Sequence, residues 1–277
     1  MPKSKASPRN TKRFEKSVKK IVLEELKEEL EEKHAITEYA NIPINKAIPS
    51  GPVLNASQAG NTGNFFKILP EIEQSTTGSA GRAYNTRIGN ELCLKSIDLH
   101  GYLSHSNSAT PLAEYNNSRL AVRVMILKAK EINDGEVLFQ NMPTDTLIRF
   151  GNWDANDPDG AGSFGGYALD PFRDINRDTF AVRYDKTFFV NAPVVMPGAV
   201  GQDPEFGVIP SDTKRFRHKL TFGKRGLKLK YSTSTDLEPN NFPYFLCVGY
   251  GSTTGSIPPD DNKCRMTLSC VGTYTDA

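Results

Sequence analysis

The sequence predicts an all-β fold built from eight antiparallel strands. From residue 86 onward, apolar residues recur at every second position in one segment after another, which is the periodicity of half-buried strands. The chain of 277 residues also contains 22 Gly and 18 Pro, a composition typical of many turns. We find no strong helical pattern among these segments. An eight-stranded sandwich or barrel follows, and the jelly roll is the commonest such fold with loops this long.

Eight segments supply the predicted strands: 91–103, 119–130, 146–150, 180–190, 214–222, 227–231, 244–250 and 264–274. In the first, the alternation changes phase near Ser96, which indicates a β-bulge. Segment 244–250 is apolar on both faces and is predicted to be a central, fully covered strand. Three segments each place their apolar residues on one face: Leu120, Val122, Val124 and Ile126; Phe180, Val182, Tyr184, Phe188 and Val190; Cys264, Met266, Leu268, Cys270 and Tyr274.

The cysteines and histidines argue against a metal site. The four cysteines, at 93, 247, 264 and 270, form no CxxC pair, and the chain has only four histidines. We expect free, buried thiols in a reducing compartment. Asp154, Asn156, Asp157 and Asp159 resemble a calcium loop, but Pro158 occupies the fifth position and Gly165 stands where a bidentate Glu is needed. Turn chemistry is the preferred interpretation, and a cation between subunits is the alternative.

The N-terminal segment is strongly basic and is followed by an acidic helix. Residues 1–20 have a net charge of +7 and residues 21–38 a net charge of −5. Residues 1–12 are predicted to be disordered alone, residues 12–32 to be helical, and residues 34–64 to form an extended linker. The predicted domains are therefore an arm and linker, 1–45, and a β domain, 46–277. The helical stripe consists of Phe14, Val18, Val22, Leu26 and Leu30.

A predicted basic hairpin lies between residues 214 and 231. Alternation places its cations on one face and its apolar residues on the other, with a turn at 223–226 and no acid between 213 and 235. The cations are Arg215, Arg217, Lys219, Lys228 and Lys230, with Lys224 and Arg225 at the tip. Two interpretations remain open: phosphate binding, and lysines on an edge strand that discourage aggregation.

Other functional classes find no support in the sequence. It has no GxSxG, P-loop or HExxH motif, so we predict neither an enzyme nor a cofactor. No apolar run has the length of a membrane span, and the basic N-terminus lacks the apolar stretch of a secretory signal.

Three stretches, in order, resemble a known family. Thr86–Asn90 (TRIGN) opens the first core strand, Phe180 to Lys186 matches an R-F-x-V-x-x-D-K pattern in which Thr179 replaces Arg, and the basic segment 214–232 leads into Asn241–Tyr244. Together they resemble the capsid proteins of circular, Rep-encoding single-stranded DNA viruses, which include the circoviruses. The resemblance covers residues 65–277. The arm is shorter than is usual in that group and rich in Lys rather than Arg.

The resemblance implies a viral capsid jelly roll that assembles, in about 60 copies, into a T=1 icosahedral shell. The expected partners are other copies of the chain and single-stranded DNA, in the virion and in the host nucleus during assembly. We expect phosphate contacts from the seven cations of the hairpin and from the arm residues Lys3, Lys5, Arg9, Lys12, Arg13, Lys16, Lys19 and Lys20. The alternatives are the coat protein of an RNA virus with the same fold and a jelly-roll carbohydrate-binding module.

Overall fold

The computed structural model describes residues 15–19, 21, 32–48, 63–75, 85–106, 115–130, 147–149, 161–162, 164–192, 194–195, 208–209, 213–253 and 257–276. The strands are β1 (Lys33–Ile44), β2 (Phe65–Lys67), β3 (Glu91–His105), β4 (Arg119–Ala129), β5 (Ile148–Arg149), β6 (Ala161–Gly162), β7 (Phe180–Asn191), β8 (Val194–Val195), β9 (Val208–Ile209), β10 (Lys214–Thr221), β11 (Leu227–Lys230), β12 (Tyr244–Ser252) and β13 (Cys264–Asp276). Tyr115–Ser118 form one helical turn and Asp170–Phe172 a 3₁₀ helix.

Two antiparallel sheets contain all the longer strands. The first has the order β1-β13-β3-β10, and β11 also pairs with β3. The second has the order β2-β12-β4-β7. The short strands form two separate pairs, β5 with β6 and β8 with β9. The prediction of an all-β, antiparallel protein is therefore confirmed.

The main core lies between the two sheets. The five inward residues predicted for the last strand, including Cys264 and Cys270, are all buried there. They share the cluster with the inward residues of β4, for which the alternation was also predicted. Strand β12 is buried along its whole length between β2 and β4, as predicted for a central strand. The four cysteines are free, and only Cys93 is partly exposed.

A second apolar cluster covers the outer face of the β2-β12-β4-β7 sheet. It joins Met125 and Leu127 of β4 to Phe245 of β12 and to two residues of the covering loops, Phe164 and Ile175. Strand β4 is consequently buried on both faces, although its sequence has a charged residue on the outer one. That residue, Arg123, is buried because its guanidinium binds both carboxylate oxygens of Asp185, at 2.8 and 2.7 Å. Charge pairing of this kind allows a loop to cover a polar position.

The predicted linker is wrong for residues 33–44, which form β1 at the edge of the first sheet. The alternating pattern of β1 was not recognised in the sequence because the register of the strand shifts between Tyr39 and Ile42, where Asn41 has a positive φ of 54°. This irregularity separates the buried residues of the strand by three positions instead of two. Pro43 fits here because an edge strand tolerates a residue without an N–H. Strand β2 was also missed, since it has only three residues.

Two β-bulges, in β3 and β7, change the face of the sheet toward which the following side chains are directed. In β3, Lys95 is skipped in the pairing with β13, and the burial phase changes at Ser96, which confirms the predicted bulge. In β7, Arg183 is skipped in the pairing with β4. The extra residue reverses the side-chain parity, so that Val182 packs against the outer cluster and Tyr184 against the main core. The prediction of a single apolar face for this strand is therefore wrong.

Of the predicted strand 146–150, the structure describes residues 147–149, in which Ile148–Arg149 form a strand outside the two main sheets. Of the predicted N-terminal helix, residues 15–19 and 21 are helical, with Val18 and Ile21 exposed, and residue 32 is described but is not helical. Its remaining positions lie outside the described residues. Within the part of the chain that the structure describes, no helix is both long enough and apolar enough to cross a membrane.

Candidate nucleic-acid interface

Strands β10 and β11 form one interrupted strand, and the predicted hairpin is wrong. Both are antiparallel to β3, but β10 pairs with Ser96–Leu103 and β11 with Glu91–Leu94, so the two follow each other along the same edge. The 222–226 segment is an excursion between them, in which Gly223 and Gly226 have φ values of 75° and 74°. A Cβ on Gly226 would lie 2.7 Å from the carbonyl oxygen of Leu94, so this close approach requires glycine.

The alternation predicted for this segment is correct even though the hairpin is not. All five cations are exposed on the outer face of the first sheet, while Phe216, Leu220, Leu229 and Tyr231 are buried in the main core. Because β10 and β11 are collinear, these cations form a line along the sheet edge rather than a cluster. We call this line the cationic row; it consists of Arg215, Arg217, Lys219, Lys228 and Lys230.

Two members of the cationic row are paired with acids from β3. The Arg217 guanidinium donates to both carboxylate oxygens of Asp98, at 3.2 and 2.6 Å, and the Lys228 ammonium lies 2.6 Å from Glu91. The hydrogen bond from Arg217 holds the pKa of Asp98 below its usual value. The hydrogen bond from Lys228 likewise lowers the pKa of Glu91. Sequence reasoning missed both acids because it counted charges along the segment and not across the sheet.

The other cations of the row have more freedom to bind an anion. Arg215, Lys219 and Lys230 are exposed, and none is within ion-pair distance of an acid among the described residues. Lys224 and Arg225 are likewise exposed in the excursion. The same face extends to Arg265 on β13, which donates to the carbonyl oxygen of Asn41. Arg265 could be recognised in the sequence as an outward residue, because it lies between the inward Cys264 and Met266.

Two of the predicted arm contacts lie within the described residues. Lys16 and Lys19 are exposed on the helical segment. The other predicted arm contacts, Lys3, Lys5, Arg9, Lys12, Arg13 and Lys20, lie outside the described residues, as does the acidic loop 154–159. In the described ranges, no group of three or more His, Cys, Asp or Glu residues could hold a metal ion.

Comparison with known proteins gives no relative: no protein-family model matches the chain, and no curated protein matches it either.

Neutralising Asp98 is expected to strengthen binding of single-stranded DNA. In Asp98→Asn, Arg217 no longer has a carboxylate partner and becomes available to a phosphate. We expect tighter binding to a labelled oligothymidylate, with the slope of log affinity against log salt steeper by about 0.7, the value of one added phosphate contact. Fluorescence anisotropy at several salt concentrations measures both. Asp261→Asn removes the same charge from an exposed carboxylate near Lys46 and serves as the control. Equal effects of the two variants would mean that only net charge matters.

Proposed function

We propose that this chain is the coat protein of a small icosahedral virus, which assembles into a closed shell and packages single-stranded DNA. The observation that carries the proposal is a sandwich whose exposed sheet face has a row of cations along one edge.

The strand pairing supports a jelly-roll architecture. If β10 and β11 are counted as one strand and the two-residue strands are set aside, eight strands remain. The first pairs with the eighth, the second with the seventh, the third with the sixth and the fourth with the fifth. A long antiparallel hairpin that rolls up into two sheets produces this nested order, which is the arrangement of the jelly roll in viral capsid proteins.

The charge distribution supports a role in packaging. Confining a polyanion inside a shell requires cations on the inner wall, and phosphate contacts need no fixed geometry or base sequence. The cationic row lies at the β10–β11 edge of the first sheet, and the arm leads into β1 at the opposite edge of the same sheet. The cationic row and the strand that follows the arm in the sequence therefore lie in one sheet, as expected if its outer face is directed toward the genome.

The cationic face does not resemble a carbohydrate-binding surface. A carbohydrate platform usually displays several aromatic rings on an exposed face, whereas Tyr102 is the exposed aromatic residue on the described part of the cationic face. The choice of DNA over RNA rests on the resemblance of the three sequence stretches, since phosphate contacts do not distinguish the two and contacts to a 2′-hydroxyl would.

Negative-stain electron microscopy of the purified full-length protein tests the proposal. We expect uniform closed particles, because self-association of identical compact domains gives closed symmetric assemblies. Treatment with nuclease before disruption of the particles should leave a protected nucleic acid, and its sensitivity to DNase or RNase after disruption identifies the genome type. Separate, unassembled molecules under all buffer conditions would contradict a coat protein.

A further inference from the structure

An open pocket of about 310 Å³ lies beside the excursion between β10 and β11. Its wall is formed by Phe222 from the excursion, Leu227 from β11, Tyr244 from β12 and Arg183 from β7. Phe222 and Leu227 are partly exposed and Arg183 is exposed, so the pocket has apolar walls and a cation at its mouth. The seven lining residues include no acid. The volume is within the range of about 300–1,000 Å³ that is usual for ligand pockets.

The polar and aromatic groups of the pocket are close together. The Arg183 guanidinium donates to the Tyr244 hydroxyl at 3.3 Å, and its carbon lies 5.6 Å from the centre of the Tyr244 ring. The rings of Phe222 and Tyr244 meet edge to face, with their centres 5.6 Å apart. The Lys128 ammonium lies 5.9 Å from the centre of the same tyrosine ring. Aromatic rings beside a guanidinium plane are the groups on which unpaired bases stack.

Irregularities in three strands, β3, β7 and β10, lie around the pocket. Arg183 is the bulged residue of β7, and Phe222 follows the last residue of β10, where its N–H donates to the carbonyl of Lys95 at 3.1 Å. Lys95 is itself the bulged residue of β3. Bulges next to binding sites redirect side chains that a regular strand would direct elsewhere. Three strands thus depart from regular pairing around one pocket.

A second pocket, of about 320 Å³, lies along β7. The two pockets share Arg183, and the second adds Lys130 and Arg177. The acid in its lining, Asp185, is already paired with Arg123 at 2.7 Å. Cations therefore continue beyond the first pocket, where the sugar–phosphate backbone on either side of a bound base would need them.

We propose that the pocket formed by Arg183, Phe222, Leu227 and Tyr244 binds a base of the single-stranded nucleic acid, while Arg183, Lys130 and Arg177 contact adjacent phosphates. This inference rests on the proposed packaging function and names the part of the nucleic acid that the pocket receives. Every base has a π face, so the pocket accepts any of the four without reading sequence. The alternative is that the pocket binds an anionic polymer without bases, such as a sulfated polysaccharide, and the experiment must distinguish this from base binding.

The experiment compares two oligomers of equal length and charge on the full-length protein, at concentrations below those at which it assembles. One is a labelled decathymidylate and the other the corresponding abasic chain. Fluorescence anisotropy is expected to show about 5- to 10-fold tighter binding of the thymidylate, the lower part of the range for stacking of one base. Equal affinities would overturn the inference, because they would show contacts with the backbone alone.

Two conservative substitutions assign the preference to this pocket. Arg183→Lys keeps the charge and removes the guanidinium plane, and Phe222→Leu keeps an apolar residue and removes the ring. Each is expected to reduce the preference for thymidylate by at least about 3-fold and to leave binding of the abasic chain unchanged. The matched control, Arg217→Lys in the cationic row, should leave the preference as it is. A preference unaffected by Arg183→Lys, which alters only an exposed side chain, would contradict the inference.

The outcomes separate this inference from the proposed function. Closed particles with protected DNA but no thymidylate preference would leave the coat protein assignment standing and remove the base pocket. A thymidylate preference that Arg183→Lys abolishes, in a protein that never assembles, would support the pocket and contradict the coat protein assignment.

Discussion

Replacing all five cations of the cationic row with Gln is expected to leave the fold intact and to lower the nucleic-acid content of purified particles. The five side chains are exposed, and the apolar residues between them remain to fill the core. Loss of five phosphate contacts should reduce the slope of log affinity against log salt by up to about 3.5. In particles, the change appears as a drop in the ratio of absorbance at 260 nm to that at 280 nm.

The ion pairs with β3 provide an internal control for this variant. Arg217 and Lys228 are already partly neutralised by Asp98 and Glu91, whereas Arg215, Lys219 and Lys230 have no acid within ion-pair distance among the described residues. Replacing Arg215 and Lys219 should therefore lower the nucleic-acid content more than replacing the paired two. Wild-type content in the five-fold variant, or a particle structure with this face directed outward, would leave protection of an edge strand as the function of the row.

Substitution of Arg87 by Met is expected to have the largest effect on stability. Arg87 is the arginine of the TRIGN stretch and is fully buried. Its guanidinium lies 4.1 Å from the centre of the Tyr231 ring. One terminal nitrogen donates to the Asn90 carboxamide oxygen at 3.0 Å, and the other to the carbonyl oxygens of Thr233 and Asp236 at 2.8 and 3.0 Å. Arg87 thus ties the start of β3 to the loop that follows β11.

Methionine in place of Arg87 leaves these carbonyl oxygens without their donor. We expect a loss of about 1–3 kcal/mol in the free energy of unfolding, as is usual when buried hydrogen-bonding groups lose their partner. Urea denaturation followed by circular dichroism measures it. Arg215→Met changes an exposed arginine of the same sheet and should alter stability by less than about 0.5 kcal/mol. A loss below about 1 kcal/mol for Arg87→Met would show that water or neighbouring groups replace its hydrogen bonds.

The parts of the fold that follow a regular period were predictable from sequence. Segment 264–274 keeps its two-residue period and segment 244–250 is apolar throughout, and the structure places both in the core as predicted. Bulges limit this reasoning, because one extra residue reverses the parity without leaving a clear mark in the sequence. For this reason β1 was taken for a linker, and the single apolar face predicted for β7 is divided at Arg183.

The exposure of the cations in the candidate site could be predicted from the sequence, but the residues that contact the site could not. Alternation within 214–222 and 227–231 places the five cations on one face, and it does so whether the two segments form a hairpin or a single strand. Which strand lies beside them is a non-local property. Arg217 pairs with Asp98, and Arg183 donates to Tyr244. The residues of each pair are more than 60 positions apart in the chain. No local pattern in the sequence specifies such contacts.

Sedimentation velocity of the purified full-length protein tests the central claim most directly. A shell of about 60 copies of the 30.6-kDa chain has a protein mass of about 1.8 MDa. We predict one discrete species at or above that mass, depending on how much nucleic acid it contains. A chain that sediments as a monomer of 30.6 kDa at every protein and salt concentration would contradict it.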